Sequence, residues 1–485
     1  MSDQITLFHH IRLFSVLAAC LISGCTMGPN FTPPDPHLPH VWQNGDQSQT
    51  TKSIDPDWWK SFNDPALNGL MEQAGQNNPD IAMSLERIKA ARLQRGAVSA
   101  EGMPTLDGQA SFSRERLATA GVGQVLQSLL GLESRQFGSE PEGVAYSNYS
   151  IGGVASWELD LWGRQRRMRE AAKAEYSAVQ ADADALRLSV QSEIARTYFQ
   201  WRNTRDDLTR AEKDLETNNT LLSIAQTVRQ HGLLASVDLD DKLTARNTAL
   251  VEKDGLTAKA GSLHRALATL VAGRPDADLP ALTRSTPVQN TVIPETVAGI
   301  PSEIARNRPD IRAAEARLHT ATALIGVAKA DFYPKLMLTG QFSLDALTVA
   351  ELGWNARNTS FGPSLTLPIF NGGRLSRQLE LRQSAARSAA IAYQIVVLNA
   401  WKEIEDLLAN RRFLRQKYES LLTVDNERKE RIVALTDRYH HGDIARTDLL
   451  MAILSGNETR TELDRTRTAL LVNEVDLNAA LGRSS

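Results

Sequence analysis

Aromatic residues are scarce in this sequence: Phe, Trp and Tyr make up 6% of its 485 positions, so small residues must carry much of the packing. No charge sign dominates either. The 54 basic and 57 acidic residues are well mixed and leave a formal net charge of -3, which provides no basic face for a nucleic-acid backbone. Cysteine is nearly absent. Cys20 and Cys25 are the only two, which excludes a disulfide framework. Catalytic signatures are missing as well: there is no phosphate-binding Gly-rich loop ending in Lys-Ser/Thr, no His-Glu-x-x-His and no nucleophile elbow, so no catalytic residue is expected. His440-His441 is the one hint of a metal. Adjacent histidines point to different faces of a helix and no carboxylate pair completes a site, so no metal is expected.

What the sequence does have begins at its start. Arg12 precedes an apolar run from Leu13 to Ile22, too short for a membrane helix, and Ile22-Ser23-Gly24-Cys25 follows with small residues before a cysteine. This resembles a bacterial lipoprotein signal. Residues 1–24 are then a signal peptide and Cys25 is the lipidated first residue of the mature chain, the covalent lipid being the only cofactor expected. Thr26 is not the Asp that retains many lipoproteins at the inner membrane, so the expected address is the outer membrane. Residues 25–57 are read as anchor and tether, with the Pro-rich stretch from Gly28 to Pro39 extended. Trp58-Trp59 is read as core, and Asp64-Pro65 as a helix start.

The body repeats itself. Asn78-Pro79-Asp80-Ile81 recurs as Arg308-Pro309-Asp310-Ile311, and Met103-Pro104 as Tyr333-Pro334, in one register; Gly163-Arg164 recurs as Gly373-Arg374, and His231-Gly232 as His441-Gly442, in a second. The difference places an insertion of about 20 residues within Leu117 to Tyr146. Each copy reads as helix, two strands, very long helix, tight turn and second helix. Residues 58–273 form repeat one, 274–303 a linker and 304–485 repeat two. Arg164 to His231 has no Pro and no Gly, so at 1.5 Å per residue it could run about 100 Å. Its seam of Ala171, Ala174, Ala178, Ala181, Ala185, Leu188, Ser192, Ala195 and Phe199 has coiled-coil spacing, with Val179, Leu186, Val190 and Ile194 as a second face. Ala386, Ala390, Tyr393, Val397, Ala400, Ile404 and Leu407 form the matching seam. Helices with neighbours on both sides suit a cylinder wall.

Four segments alternate with period two. These are Thr105 to Ser113, Ile151 to Leu161, Leu336 to Leu344 and Phe361 to Ile369, each with one apolar and one mostly polar face, the code of outer-membrane barrel strands. Four strands cannot close a barrel, and open edges in lipid leave backbone groups unpaired at several kcal/mol each. Several copies must therefore pool strands. Twelve helices spaced about 10 Å apart would ring a tube about 38 Å across.

Gly28-Pro29-Asn30-Phe31, Trp58-Trp59 with Phe62 and Asp64, Ile300-Pro301-Ser302-Glu303 leading into Arg308-Pro309-Asp310-Ile311-Arg312, and Leu367-Pro368-Ile369-Phe370-Asn371-Gly372-Gly373-Arg374 resemble the TolC-like outer-membrane factors, in the lipoprotein branch that serves resistance-nodulation-division pumps. The resemblance implies a mixed α and β membrane protein: a homotrimer with a twelve-stranded outer-membrane β-barrel and a long periplasmic α-helical coiled-coil barrel. It implies a periplasmic adaptor and an inner-membrane pump as partners, and passive conduction of drugs or other small toxic compounds. A type I protein-secretion duct shares the architecture, and a structural coiled-coil lipoprotein is a further alternative. Asn371 stands where Asp is common. Turns around Gly232 to Ser236 and Gly442 to Thr447 would form the tip that the adaptor grips, with Gly232, Ser236, Gly442 and Thr447 as its candidate residues. In the family an Asp matching Asp448 lines the constriction, and one matching Asp238 is held by a Tyr matching Tyr439 and by an Arg replaced here by Ile444. Arg446 is the candidate substitute for that Arg.

Overall fold

The computed structural model describes residues 26–36, 38–39, 41–44, 57–117, 144–302 and 307–482. Cys25, the signal segment before it and most of the Leu117 to Tyr146 insertion lie outside the described residues. Seven helices and four strands carry the described chain: α1 (Pro65–Asn77), α2 (Pro79–Ala100), β1 (Thr105–Leu117), β2 (Val144–Leu159), α3 (Arg164–Gln230), α4 (Ser236–Ala272), α5 (Pro309–Ala330), β3 (Lys335–Ala346), β4 (Arg357–Thr366), α6 (Arg374–His440) and α7 (Arg446–Ala480). Both α3 and α6 are 67 residues long. None of the described helices is long and apolar enough to cross a membrane. The chain divides into two compact units.

One unit contains the strands, paired antiparallel in the order β1-β2-β3-β4. The register unites what the sequence showed separately. Leu106 faces Ala155, Ala155 faces Gly340 and Gly340 faces Phe361, while Trp157 faces Leu338 and Leu338 faces Pro363. Residues facing one another across a ladder share a sheet face, so the four apolar sets make one surface. On the opposite face Thr105, Ser156, Thr339 and Gly362 align, as do Asp107, Val154, Gln341 and Ser360. Strand limits differ from the alternation at several places: β2 runs from Val144 to Leu159 rather than from Ile151 to Leu161, and β4 begins at Arg357 rather than Phe361. β4 stops at Thr366 because Pro368 has no N–H to donate, and β1 continues through Arg114-Glu115-Arg116, whose charges hid its alternation.

The expected tether is docked at its beginning. Met27 donates its N–H to the Trp162 carbonyl at 3.1 Å. The almost fully buried Arg167 side chain donates to the carbonyls of Met27 and Gly28 and to the Asn30 side chain. Phe31 stacks on His319 at 4.3 Å, and His319 Nε2 lies 2.8 Å from Glu170. Gly28, at φ +91°, lies so close to Gly326 that a Cβ would fall 2.5 Å from the Gly326 Cα. The segment is extended, as its prolines require, but its first residues are packed.

The other unit is built on the few large side chains available. Trp58, Phe62, Leu67, Leu70, Ile194, Tyr198, Phe199 and Leu267 meet in one cluster. Each contributes roughly 1.5–3 kcal/mol by leaving water. Tyr393, Val397, Ala400, Ile404 and Leu408 meet Ile311 and Trp42 in a second. Its last buried contribution from α6 is Leu408 rather than Leu407, which is only half-buried, because the step from Ile404 is four residues and not three. Asp64 caps α1, accepting from the N–H groups of Ala66 and Leu67, with Pro65 at the first helical position. Asn78 caps α2 in the same way. At the matching place before α5, Arg308 instead donates to the Ala480 carbonyl at the end of α7 and pairs with Asp310 and Glu403.

Candidate functional site

The two turns between the long helices are built alike. After α3, Gly232 N–H donates to the Arg229 carbonyl at 2.8 Å and Leu233 N–H to the Val228 carbonyl at 3.1 Å. After α6, Gly442 N–H donates to Tyr439 and Asp443 N–H to Arg438, at 3.0 and 2.9 Å. These crossed bonds need a left-handed residue, and Gly232 and Gly442 supply it at φ +75° and +83°. Space beside both is open, since a Cβ at either would meet nothing within 4 Å. His231 and His441 each place Nδ1 within 2.8 Å of the carbonyl four residues back, which ties His441 to its own helix end.

The next helices start without a capping side chain. Ala235 and Ala445 occupy the cap positions, with nearly equal backbone angles and no side-chain bond. Ser236 and Arg446 are therefore the first residues of α4 and α7, Thr447 the second of α7, and Asp238 and Asp448 each the third of their helix. Both carboxylates are exposed. Among the described residues neither accepts a hydrogen bond, so they act on the helix dipole by charge alone and do not cap free N–H groups. The structure does not join Asp238 to Tyr439. Tyr439 is half-buried, with its ring 5.8 Å from that of His440, and Arg446 is exposed and has no ion pair among the described residues.

Asp160 and Asn371 shape the starts of the two long helices. Asp160 accepts from the N–H groups of Gln165 and Arg166, and Asn371 Oδ1 accepts from that of Leu375 at 3.3 Å. Capping needs only an acceptor oxygen, so Asn serves where Asp is common.

Sequence reasoning missed a polar network in the helical unit. Arg210 pairs with Asp207 and Asp464 at 2.6 and 2.8 Å, and Arg460 pairs with Asp425 at 2.9 Å and Asp464 at 3.5 Å. Deeper still, Tyr198 donates to Asp64 at 3.1 Å while Arg202 pairs with the same carboxylate. Burial pushes the Tyr198 phenol up. Glu474 is fully buried, and burial raises its carboxyl, with Thr296 and Arg411 pulling it back only in part. Charged residues in the middle of α3 were the available signal, Arg202 and Arg210 among them, but their partners Asp64 and Asp464 lie far away in sequence.

The sequence pattern of the family described as outer membrane efflux protein matches residues 70–272 and 300–483. The chain is 30% identical over 430 residues to outer membrane protein OprJ of Pseudomonas aeruginosa, covering 88% of this chain and 86% of that one. It is 27% identical over 479 residues to the solvent efflux pump outer membrane protein SrpC of Pseudomonas putida, covering 97% and 95%. The open state of the Neisseria gonorrhoeae MtrE outer membrane channel superposes with a TM-score of 0.80 at 28% identity, over 94% of this chain and 98% of that one.

Proposed function

Since this chain belongs to the outer membrane efflux protein family, and is a protein of the outer membrane that extends into the periplasm, we propose that it is the exit duct of a tripartite efflux system. In this reading three copies pool their strands into a twelve-stranded barrel and their helices into a duct. Drugs or other small toxic compounds pass through it without chemistry, delivered by a periplasmic adaptor and an inner-membrane pump of the resistance-nodulation-division type. A lipid on Cys25 adds an anchor. One observation carries the proposal: four strands share one exposed apolar face, and among the described residues β1 and β4 each keep an unpaired edge. Leu381, Ile391, Ile395 and Leu398 of α6, all more than half exposed in the single chain, support the same reading for the helices.

The tip residues Gly232, Ser236, Gly442 and Thr447 are proposed as the adaptor's grip, and Asp238 and Asp448 as the constriction. With Ile444 at the position of the family's Arg, Tyr439 and Arg446 are assigned no latch to Asp238. The test is a purified protein in detergent and a deletion strain. A trimer mass, conductance in planar bilayers and restored drug tolerance on complementation are expected. A folded monomer with full β content would overturn the duct, and normal tolerance in a strain carrying bulky residues at both Gly232 and Gly442 would overturn the grip.

A further inference from the structure

Charges on the sheet are sorted by face and by end. Register places Asp107, Glu115, Glu158 and Asp345 on the polar face with Lys335. The apolar face carries no Asp or Glu at any strand position, and its charges are three arginines, Arg114, Arg116 and Arg357. All three are exposed. Arg114 and Arg116 lie near the end of β1, and Arg357 opens β4. They therefore share the end of the sheet where β1 runs out towards β2 and β3 turns into β4, opposite the end where all four strands join helices.

Among the described residues little covers Arg114 and Arg116. Across from Arg114 and Arg116 stand Ser147 and Ala145, too small to cover a guanidinium, and among the described residues neither arginine has a hydrogen bond or ion pair. Arg357 lies 5.5 Å from the Trp354 ring centroid and donates to the Trp354 carbonyl at 3.0 Å. Aromatic pairs mark the same end: Phe112 with Tyr149 at 4.8 Å and Phe342 with Trp354 at 5.8 Å. Such rings sit at the boundary between lipid tails and headgroups. The helices extend into the periplasm, so this end meets the outer leaflet.

In one chain β1 and β4 are opposite edges, three strand spacings or about 14 Å apart. In the ring of three copies, on which this inference rests, β1 meets β4 of the next copy. Antiparallel pairing brings like ends together, so Arg114 and Arg116 would lie beside the next copy's Arg357. Three guanidiniums on an apolar surface without a carboxylate repel one another and call for an anion. Guanidinium forks match phosphate oxygens two at a time. We propose that each β1–β4 seam binds the phosphates of an anionic, phosphorylated lipid of the outer leaflet, giving three sites per assembly.

Native mass spectrometry of the protein, titrated with diphosphoryl lipid A, with phosphatidylethanolamine and with inorganic pyrophosphate, tests this. Up to three lipid A molecules per trimer should bind. Affinity should fall about fivefold for each of Arg114→Gln, Arg116→Gln and Arg357→Gln, and about a hundredfold for the triple variant. Arg377→Gln, outside the sheet, should change nothing. A triple variant that stays trimeric and keeps wild-type affinity would overturn the site. So would a wild-type trimer that binds lipid A no better than phosphatidylethanolamine, or pyrophosphate equally well. A wild-type monomer would overturn the ring and the seam together.

Discussion

At the scale of single residues, buried charge decides more than surface charge. Asp64 has two duties, capping α1 and holding Tyr198 and Arg202, and both it and Arg202 are nearly inaccessible. Removing one member of a buried pair strands the other, so Asp64→Leu should cost about 3–5 kcal/mol, read as a lower denaturation midpoint. Asp64→Asn keeps an acceptor for the helix and should cost less; equal losses in both variants would mean that the pairing with Arg202 carries the effect and the cap adds nothing. Glu474 gives a prediction of opposite sign. Burial raises its carboxyl above the ordinary 4.5, so the folded state binds the proton more tightly than the unfolded chain. Its contribution is fully present below that value and is lost as pH rises through the folded pKa. Glu474→Gln should therefore raise Tm at pH 8 and leave it nearly unchanged at pH 4. A lower Tm at pH 8 would show that the charged form, through Arg411, stabilises the fold. Neither role was legible in the sequence, because Tyr198, Arg202, Thr296 and Arg411 are brought in from distant segments.

At the scale of elements, β2 has two adjacent glycines with different duties. A Cβ at Gly152 would fall 2.2 Å from the Phe342 carbonyl oxygen and 2.7 Å from the Ser343 Cα, both backbone atoms of β3. At Gly153 the nearest atom, the Asp107 carbonyl oxygen, is 3.5 Å away, an ordinary contact. Gly152→Ala should thus weaken the β2–β3 ladder and lower the yield of heat-resistant oligomer on a gel, whereas Gly153→Ala should be tolerated. Equal behaviour would mean that the sheet relaxes freely there. Strand existence and facing were legible because period two survives in Leu106 to Phe112 and Leu336 to Leu344. Strand ends were less so, since Leu367, Ile369 and Phe370 continue the apolar pattern past the break at Pro368. The helices were legible for a different reason: the absence of Pro and Gly between Arg164 and His231 left nothing to stop them before Gly232. The docking of residues 27–31 was hidden because a Pro-rich segment looks the same whether free or pinned, and only the Arg167 and His319 contacts distinguish the two.

At the scale of the whole molecule, symmetry multiplies what a single chain shows. Asp238 and Asp448 occupy the third position of two helices that begin with identical Ala caps, so three copies would gather six exposed carboxylates at the tip. Each sits where a helix N-terminus favours a negative charge, and among the described residues neither accepts a hydrogen bond, so each is available to cations. Crowded carboxylates at a narrow entrance select cations and hold multivalent ones. Planar-bilayer recording should show cation selectivity and block by a trivalent cation, with block about tenfold weaker in Asp448→Ala, equivalent to about 1.4 kcal/mol. Tyr439→Phe should leave conductance as it was, because among the described residues the Tyr439 hydroxyl holds no carboxylate. The polar face of the sheet offers a rival source of selectivity in Asp107, Glu115, Glu158 and Asp345. Asp238→Ala with Asp448→Ala separates the two sources: if selectivity and block both survive in the double variant, cations are chosen in the barrel and the tip carboxylates serve only their helices.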